Sequence, residues 1–116
     1  NPVDITNQIS KVNWKNDFKF ITSGRGIQTK NGTLLHCLVN LQKGTHVFGS
    51  NDNGKTWFIT ETPTLPGDES KIVELNDGSW MVNSRVNKLG YRYSHVSNDD
   101  GKTWISKKNN LRKVFT

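Results

Sequence analysis

The chain has 116 residues, 32% of them hydrophobic and 22% charged, with a formal net charge of +6. That length holds one ordinary domain and excludes a complete multi-bladed propeller or an eight-stranded α/β barrel. Four Trp, five Phe and two Tyr speak for folded sheet over disorder, and the positive charge favours an anionic partner such as nucleic acid, an acidic glycan or a sugar acid.

Taken in chain order, residues 1–24 read as a connector. Ile9 to Phe20 carries no clean helical period and no caps, so an irregular segment is expected there. Residues 25–60 then read as a first four-stranded unit, with strands at Gly26 to Thr29, Thr33 to Asn40, Thr45 to Gly49 and Thr56 to Thr60. The Pro/Gly-rich stretch ETPTLPGDE, residues 61–69, is a crossover that Pro63 and Pro66 keep from being helical. A second unit follows over residues 70–107, with strands at Lys71 to Leu75, Ser79 to Arg85, Tyr91 to Ser97 and Thr103 to Ser106. In the third of these, Tyr91, Tyr93 and His95 alternate with Arg92, Ser94 and Val96, which predicts a strand with one packed face. Residues 108–116 begin the next connector.

The two units are copies. SNDNGKTW at Ser50 to Trp57 returns as SNDDGKTW at Ser97 to Trp104, seven matches in eight at an offset of 47 residues, the period of a propeller blade or solenoid unit. Asn31-Gly32 and Asp77-Gly78 supply hairpin turns between the first two strands of each copy. In the octapeptides, Asp52 and Asp99 are placed to accept backbone N–H bonds, and Gly54 and Gly101 to take positive φ. Trp57 and Trp104 lead the outgoing strands and should pack under the hairpins. A calcium loop is the rival reading of D-N-D-G, but the later acidic ligands and flanking helices of an EF-hand are missing. No metal site or cofactor is expected.

Other chemistry is sparse. Cys37, the sole cysteine, sits in the apolar run LLHCLV and reads as a small buried hydrophobe, and no intrachain disulfide can form. His36, His46 and His95 lack metal-cluster spacing and belong to strand faces. Lys107, Lys108, Arg112 and Lys113 make the one basic run, and the remaining cations are scattered, which disfavours nucleic acid. No apolar stretch approaches the ~20 residues of a membrane span, and the first residues do not resemble a signal peptide.

On these motifs the chain resembles the bacterial sialidases (exo-α-neuraminidases). The octapeptides look like their Asp boxes, S-x-D-x-G-x-T-W, and ESKIVELNDGSWMVNSR at Glu69 to Arg85 resembles the stretch that carries an active-site Glu and, sixteen positions on, an Arg of the carboxylate-binding triad. GRGIQTKNGTLLHCLV at Gly24 to Val39 is similar to the opening of an earlier blade whose Gln approaches the substrate pocket, and PVDIT to a connector after an Asp box. The resemblance implies an all-β fold: two four-stranded antiparallel blades of a six-bladed β-propeller, an incomplete propeller.

It also implies a parent protein, secreted or at the bacterial cell surface, that cleaves terminal α-linked sialic acid from glycoconjugates with retention. Glu69 would be the base that activates a tyrosine nucleophile, and Arg85 and Gln28 would bind substrate. Read without the resemblance, Arg85 can grip a planar carboxylate bidentately or be a surface residue, and Asp68 beside Glu69 is a turn residue. The Arg-Ile-Pro segment, the Asp acid/base, the third Arg and the nucleophilic Tyr of the family have no match here, so the segment alone is expected to be inactive and to leave blade faces exposed for self-association. Sialylated glycans or free sialic acid are the implied partners. The rivals are a non-catalytic glycan-binding or structural Asp-box module and an intramolecular trans-sialidase parent.

Overall fold

A computed structural model describes residues 8–9, 19–21, 26–40, 43–65, 69–86 and 91–110. PVDIT, Asp68, Arg112 and Lys113 lie outside the described residues. The strands are β1 (Lys19–Ile21), β2 (Ile27–Gln28), β3 (Leu34–Asn40), β4 (Gly44–Ser50), β5 (Phe58–Ile59), β6 (Glu69–Glu74), β7 (Trp80–Val86), β8 (Tyr91–Ser97) and β9 (Ile105–Asn110). They form two antiparallel sheets in meander order, one for each sequence copy. The architecture is all-β, two blades of an open, incomplete propeller.

In the first sheet, β1 and β2 lie end to end along one edge of β3: Lys19 to Ile21 pair with Asn40 to Leu38, and Ile27 and Gln28 with Leu35 and Leu34. Together they fill the first strand position of the blade. Lys19–Ile21 was expected within an irregular connector; instead it hydrogen-bonds the far half of the seven-residue β3, whose edge the two-residue β2 leaves unpaired. The second sheet runs β6-β7-β8-β9. It begins at Glu69, inside the expected crossover, and continues to Asn110, past the expected end of the blade.

Both hairpins close through three-residue loops. Thr29 N donates to Thr33 O at 2.8 Å around Lys30, Asn31 and Gly32, and Leu75 N to Ser79 O at 2.8 Å around Asn76, Asp77 and Gly78. Positive φ falls on the glycines alone, +94° at Gly32 and +88° at Gly78, the form in which a turn is followed by one left-handed residue.

Strand alternation builds the core between the blades. Leu35 and Cys37 of β3 and Val47 of β4 meet Ile72 of β6 and Trp80 and Val82 of β7, with Ile27, Phe58 and Trp104 closing the edges. Burial there pushes the Cys37 thiol up to about 12, which removes it as a nucleophile at neutral pH. The opposite face of the first blade carries Leu38 and Phe48 with Ile9, flanked by Trp57 and Ile59, and His36 stacks on Phe48 at 5.7 Å. Toward the Glu69 end the interblade residues become small and polar: Thr45 Oγ1 lies 3.1 Å from Ser70 Oγ, which lies 2.8 Å from Ser84 Oγ. Buried hydroxyls chained in this way satisfy one another and let the two sheets approach closely.

The described start of the crossover is tied to both blades. Thr64 exchanges backbone hydrogen bonds with Thr45 at 2.8 and 3.0 Å, and Thr62 Oγ1 donates to Lys102 O at 2.7 Å. On the outer face of the second blade, Val73 and Ile105 are exposed. No helix among the described residues is long and apolar enough to cross a membrane.

Candidate functional site

The two octapeptides adopt one geometry. Asp52 Oδ1 accepts from Thr56 N at 2.9 Å and Ser50 Oγ at 2.7 Å, while Oδ2 accepts from Thr56 Oγ1 at 2.6 Å. Asp99 repeats this with Thr103 N at 2.9 Å, Ser97 Oγ at 2.7 Å and Thr103 Oγ1 at 2.5 Å. Each Ser hydroxyl also accepts from the box glycine, Gly54 N or Gly101 N, at 2.8 Å. Asn53 and Asp100 share φ of 59°, and Gly54 and Gly101 take +89° and +84°, so the loops are superposable turns built around one carboxylate each. Because Asp52 accepts the Thr56 N–H, the ladder opens only at Phe58, two residues later than expected.

The tryptophans differ. Trp57 Nε1 donates to Gly54 O within its own loop at 3.2 Å, and Trp104 Nε1 to Thr62 O of the crossover at 3.0 Å. The second box therefore helps join the blades. Both carboxylate oxygens of Asp52 and of Asp99 are engaged by protein donors, and no group of three metal-ligating side chains assembles among the described residues.

Hydrogen bonds to the ionised form, first from the Thr side chains, hold Asp52 and Asp99 down at about 2. A folded-state value below the unfolded ~3.9 means that the boxes stabilise the fold above about pH 4 and cease to do so as the pH falls toward 2. The melting temperature should drop across that window. In the double variant Asp52→Asn/Asp99→Asn, which is less stable at neutral pH, the drop should be smaller; an unchanged acid profile would remove the boxes as its cause.

The second constellation lies at the end of the second blade away from its hairpin. Glu69 opens β6 and pairs in register with Arg85 near the end of β7. Directly paired residues occupy the same face of a sheet, with Cα atoms ~4.5–5.5 Å apart. The sixteen-residue spacing noted in the sequence is thus the geometry of one hairpin: it returns the Arg position to the side of the Glu position. Arg85 is exposed. For Glu69 the backbone position is what the structure describes.

Gln28 is not brought to this pair. Its two-residue strand adjoins the Asn31-Gly32 hairpin, its amide Nε2 donates to Gly32 O at 3.4 Å, and nearby Lys30 N donates to Glu74 Oε1 at 3.0 Å. From Glu74, Glu69 stands at the opposite end of β6, which at ~3.3 Å per residue is about 17 Å of strand. Gln28 lines a shallow apolar hollow with Leu34, His36, Phe48 and Trp57 on the other face of the first blade. The structure thus sets Gln28 in that hollow, apart from the Glu69–Arg85 pair.

Sequence reasoning passed over Arg92. β8 sets it in direct register with Arg85 on the side opposite Glu69, and the alternation in YRYSHVS had already separated Arg92, Ser94 and Val96 from the packed Tyr93 and His95. What the sequence lacked was the register across residues 87–90.

Two Asp-box blades joined by a short crossover, with a Glu–Arg pair at one end of the second, define a β-propeller module of the BNR class. The chain belongs to that family: a model described as the BNR repeat-like domain matches residues 1–116. Its similarities lie with bacterial sialidases. It is 30% identical over 107 residues to a sialidase of Bacteroides fragilis, covering 89% of this chain and 19% of the relative. Among solved structures it is similar to a Hadza microbial sialidase, with TM-score 0.79 and 29% identity over 91% of this chain and 21% of that one. It is also similar to the intramolecular trans-sialidase of Ruminococcus gnavus, solved with oseltamivir carboxylate, with TM-score 0.65 and 29% identity over 81% of this chain and 20% of that one. The chain thus spans about a fifth of the length of these proteins.

Proposed function

We propose that this chain contributes two adjoining blades to a sialidase that cleaves terminal α-linked sialic acid from glycoconjugates with retention of configuration. The observation that carries the reading is the direct register of Glu69 with Arg85. A guanidinium fork there can hold the sugar's carboxylate bidentately, and the carboxylate of Glu69, one strand away, can take a proton from a nucleophile supplied by another part of the protein. Retention follows when that nucleophile forms a glycosyl intermediate that water then opens. For a family tyrosine, Glu69 would accept the phenolic proton as the oxygen attacks the anomeric carbon, and the aglycone would leave with a proton from a separate acid.

The blades serve this chemistry by fixing the pair on strands held from behind by the Thr45, Ser70 and Ser84 hydroxyls. Positioning of that kind is effective only when clamp, base and nucleophile are held together by a closed scaffold. Secretion or display at the cell surface would suit a glycan substrate. A neighbouring blade would cover the apolar part of the outer face at Val73 and Ile105, two rows along from the Glu69–Arg85 pair, and in isolation that part invites self-association.

The experiment is turnover of a fluorogenic α-sialoside by the full-length protein and by these 116 residues alone. The full-length protein should release the fluorophore and the segment should not. A full-length protein that binds sialosides without cleaving them would favour a non-catalytic glycan-binding module, and activity in the isolated segment would contradict the division of labour.

A further inference from the structure

At the hairpin end of the two blades, away from the Glu69–Arg85 pair, a cleft of about 310 Å³ opens between them. The first blade contributes Asn31, Asn51 and Phe58 to its lining, and the second Glu74, Trp80 and Asp100. That volume stands at the lower end of the ~300–1,000 Å³ usual for small-ligand sites. It suits a ligand the size of one sugar ring.

Hydrogen bonding within the protein leaves donors on one side of the cleft and acceptors on the other. Asn31 Oδ1 accepts from Thr29 Oγ1, and Asn51 Oδ1 from Thr33 Oγ1 at 2.9 Å. Each amide is thereby oriented, with its oxygen engaged and its Nδ2 without a partner among the described residues. On the second blade, Glu74 Oε1 accepts from Lys30 N at 3.0 Å, while Glu74 Oε2 and the Asp100 carboxylate accept from no donor among the described residues. The turn does not require that carboxylate: Asp100 holds φ of 59°, and so does Asn53 at the matching place in the first box.

A ligand that answers both sets must offer donors and acceptors side by side. An ammonium group or metal ion would use the carboxylates and leave the amide N–H groups empty; an anion would use the amides and meet two carboxylates. Vicinal hydroxyl groups satisfy both, since each gives one O–H and accepts through its lone pairs. Half-buried Phe58 and the indole of Trp80 line the same cleft and supply apolar surface for the C–H face of a ring.

We infer that the cleft between the hairpin ends of the blades binds one neutral sugar residue of a glycan, with Asn31 and Asn51 as donors and Glu74 and Asp100 as acceptors. Glu74 and Glu69 stand at opposite ends of β6, so the site is separate from the Glu69–Arg85 pair and does not depend on the sialidase reading.

The test is ligand-observed NMR titration of the full-length protein with the methyl glycosides of galactose, glucose and mannose, for the wild type, Asp100→Asn and Asn51→Asp. Asp100→Asn introduces the residue type that the first box already carries at this φ, and Asn51→Asp keeps an oxygen to accept from Thr33 while removing the N–H donors. At least one glycoside should saturate the wild type with a Kd of ~10 mM or below, and its Kd should rise about tenfold in each variant, the cost of one lost hydrogen bond to a charged or oriented group. The Kd of N-acetylneuraminic acid should stay as in the wild type. Absence of saturation by all three glycosides, or one Kd shared by the wild type and both variants, would overturn the site. Calcium binding alone that depends on Asp100, with no glycoside bound, would overturn it too and make the cleft a cation site. Should Asn51→Asp lower the melting temperature, Asp100→Asn decides the point by itself. Sialoside turnover by the wild type keeps the claims apart: turnover without glycoside binding in the cleft sinks this inference alone, and variant-sensitive glycoside binding without turnover sinks the catalytic reading and leaves this site standing.

Discussion

Replacing Trp80 with Ala should destabilise the protein by about 3–5 kcal/mol, the range for a large aromatic removed from a packed core. Trp80 is 5% exposed at the first position of β7 and belongs to the cluster that joins the blades, with Leu35, Cys37 and Val47 on one sheet and Ile72 and Val82 on the other. It also reaches the second Asp box: a Cβ placed on Gly101 would stand 3.3 Å from Trp80 Cζ3 and 2.5 Å from Thr60 Cγ2. The indole therefore fills the space where the interblade core, the box loop and the end of the first blade at Thr60 meet. A cavity there has three elements around it that cannot collapse independently, which places the cost toward the upper end of the range. Trp57 is the control. The Asp-box Trp57 packs on the opposite, half-open face of the first blade, and Trp57→Ala should cost clearly less in the same denaturant titration. Equal costs would mean that the blades are not held by the Trp80 cluster.

The second large effect concerns chemistry. Glu69→Gln in the full-length protein should lower kcat on an α-sialoside by about 10²- to 10⁴-fold, the contribution of a positioned base, with KM changed little. Gln keeps the size of the side chain and removes its capacity to accept a proton. Since the clamp at Arg85 is untouched, ground-state binding survives and the loss falls on the step that needs the base. A KM effect with kcat preserved would reassign Glu69 to substrate binding.

The duplicated octapeptide and the two Gly-containing hairpins made the two blades legible before any coordinates, because each is a local feature whose residues bond within a few positions of one another. Ser50, Asp52 and Thr56 form their box without outside help. What escaped notice depends on distant pairing. Lys19–Ile21 becomes a strand because β3 offers an open edge about twenty residues later, and three residues have no period of their own to announce it. Glu69 and Arg85 could be singled out by motif and spacing; their direct register comes from the hairpin. The neighbouring place of Arg92 depends on how residues 87–90 return the chain, which alternation within Tyr91–Ser97 cannot specify. Gln28 shows the converse, a residue that the resemblance set near the substrate pocket and whose strand ends at the other end of the blade.

The central claim is that the Glu69–Arg85 pair belongs to a sialic-acid site. A crystal structure of the full-length protein soaked with a sialic-acid analogue tests it most directly. The account predicts the analogue's carboxylate in bidentate contact with Arg85 at about 2.7–2.9 Å, with Glu69 on the side of the anomeric carbon. An analogue bound elsewhere, with Arg85 left in solvent, would contradict it.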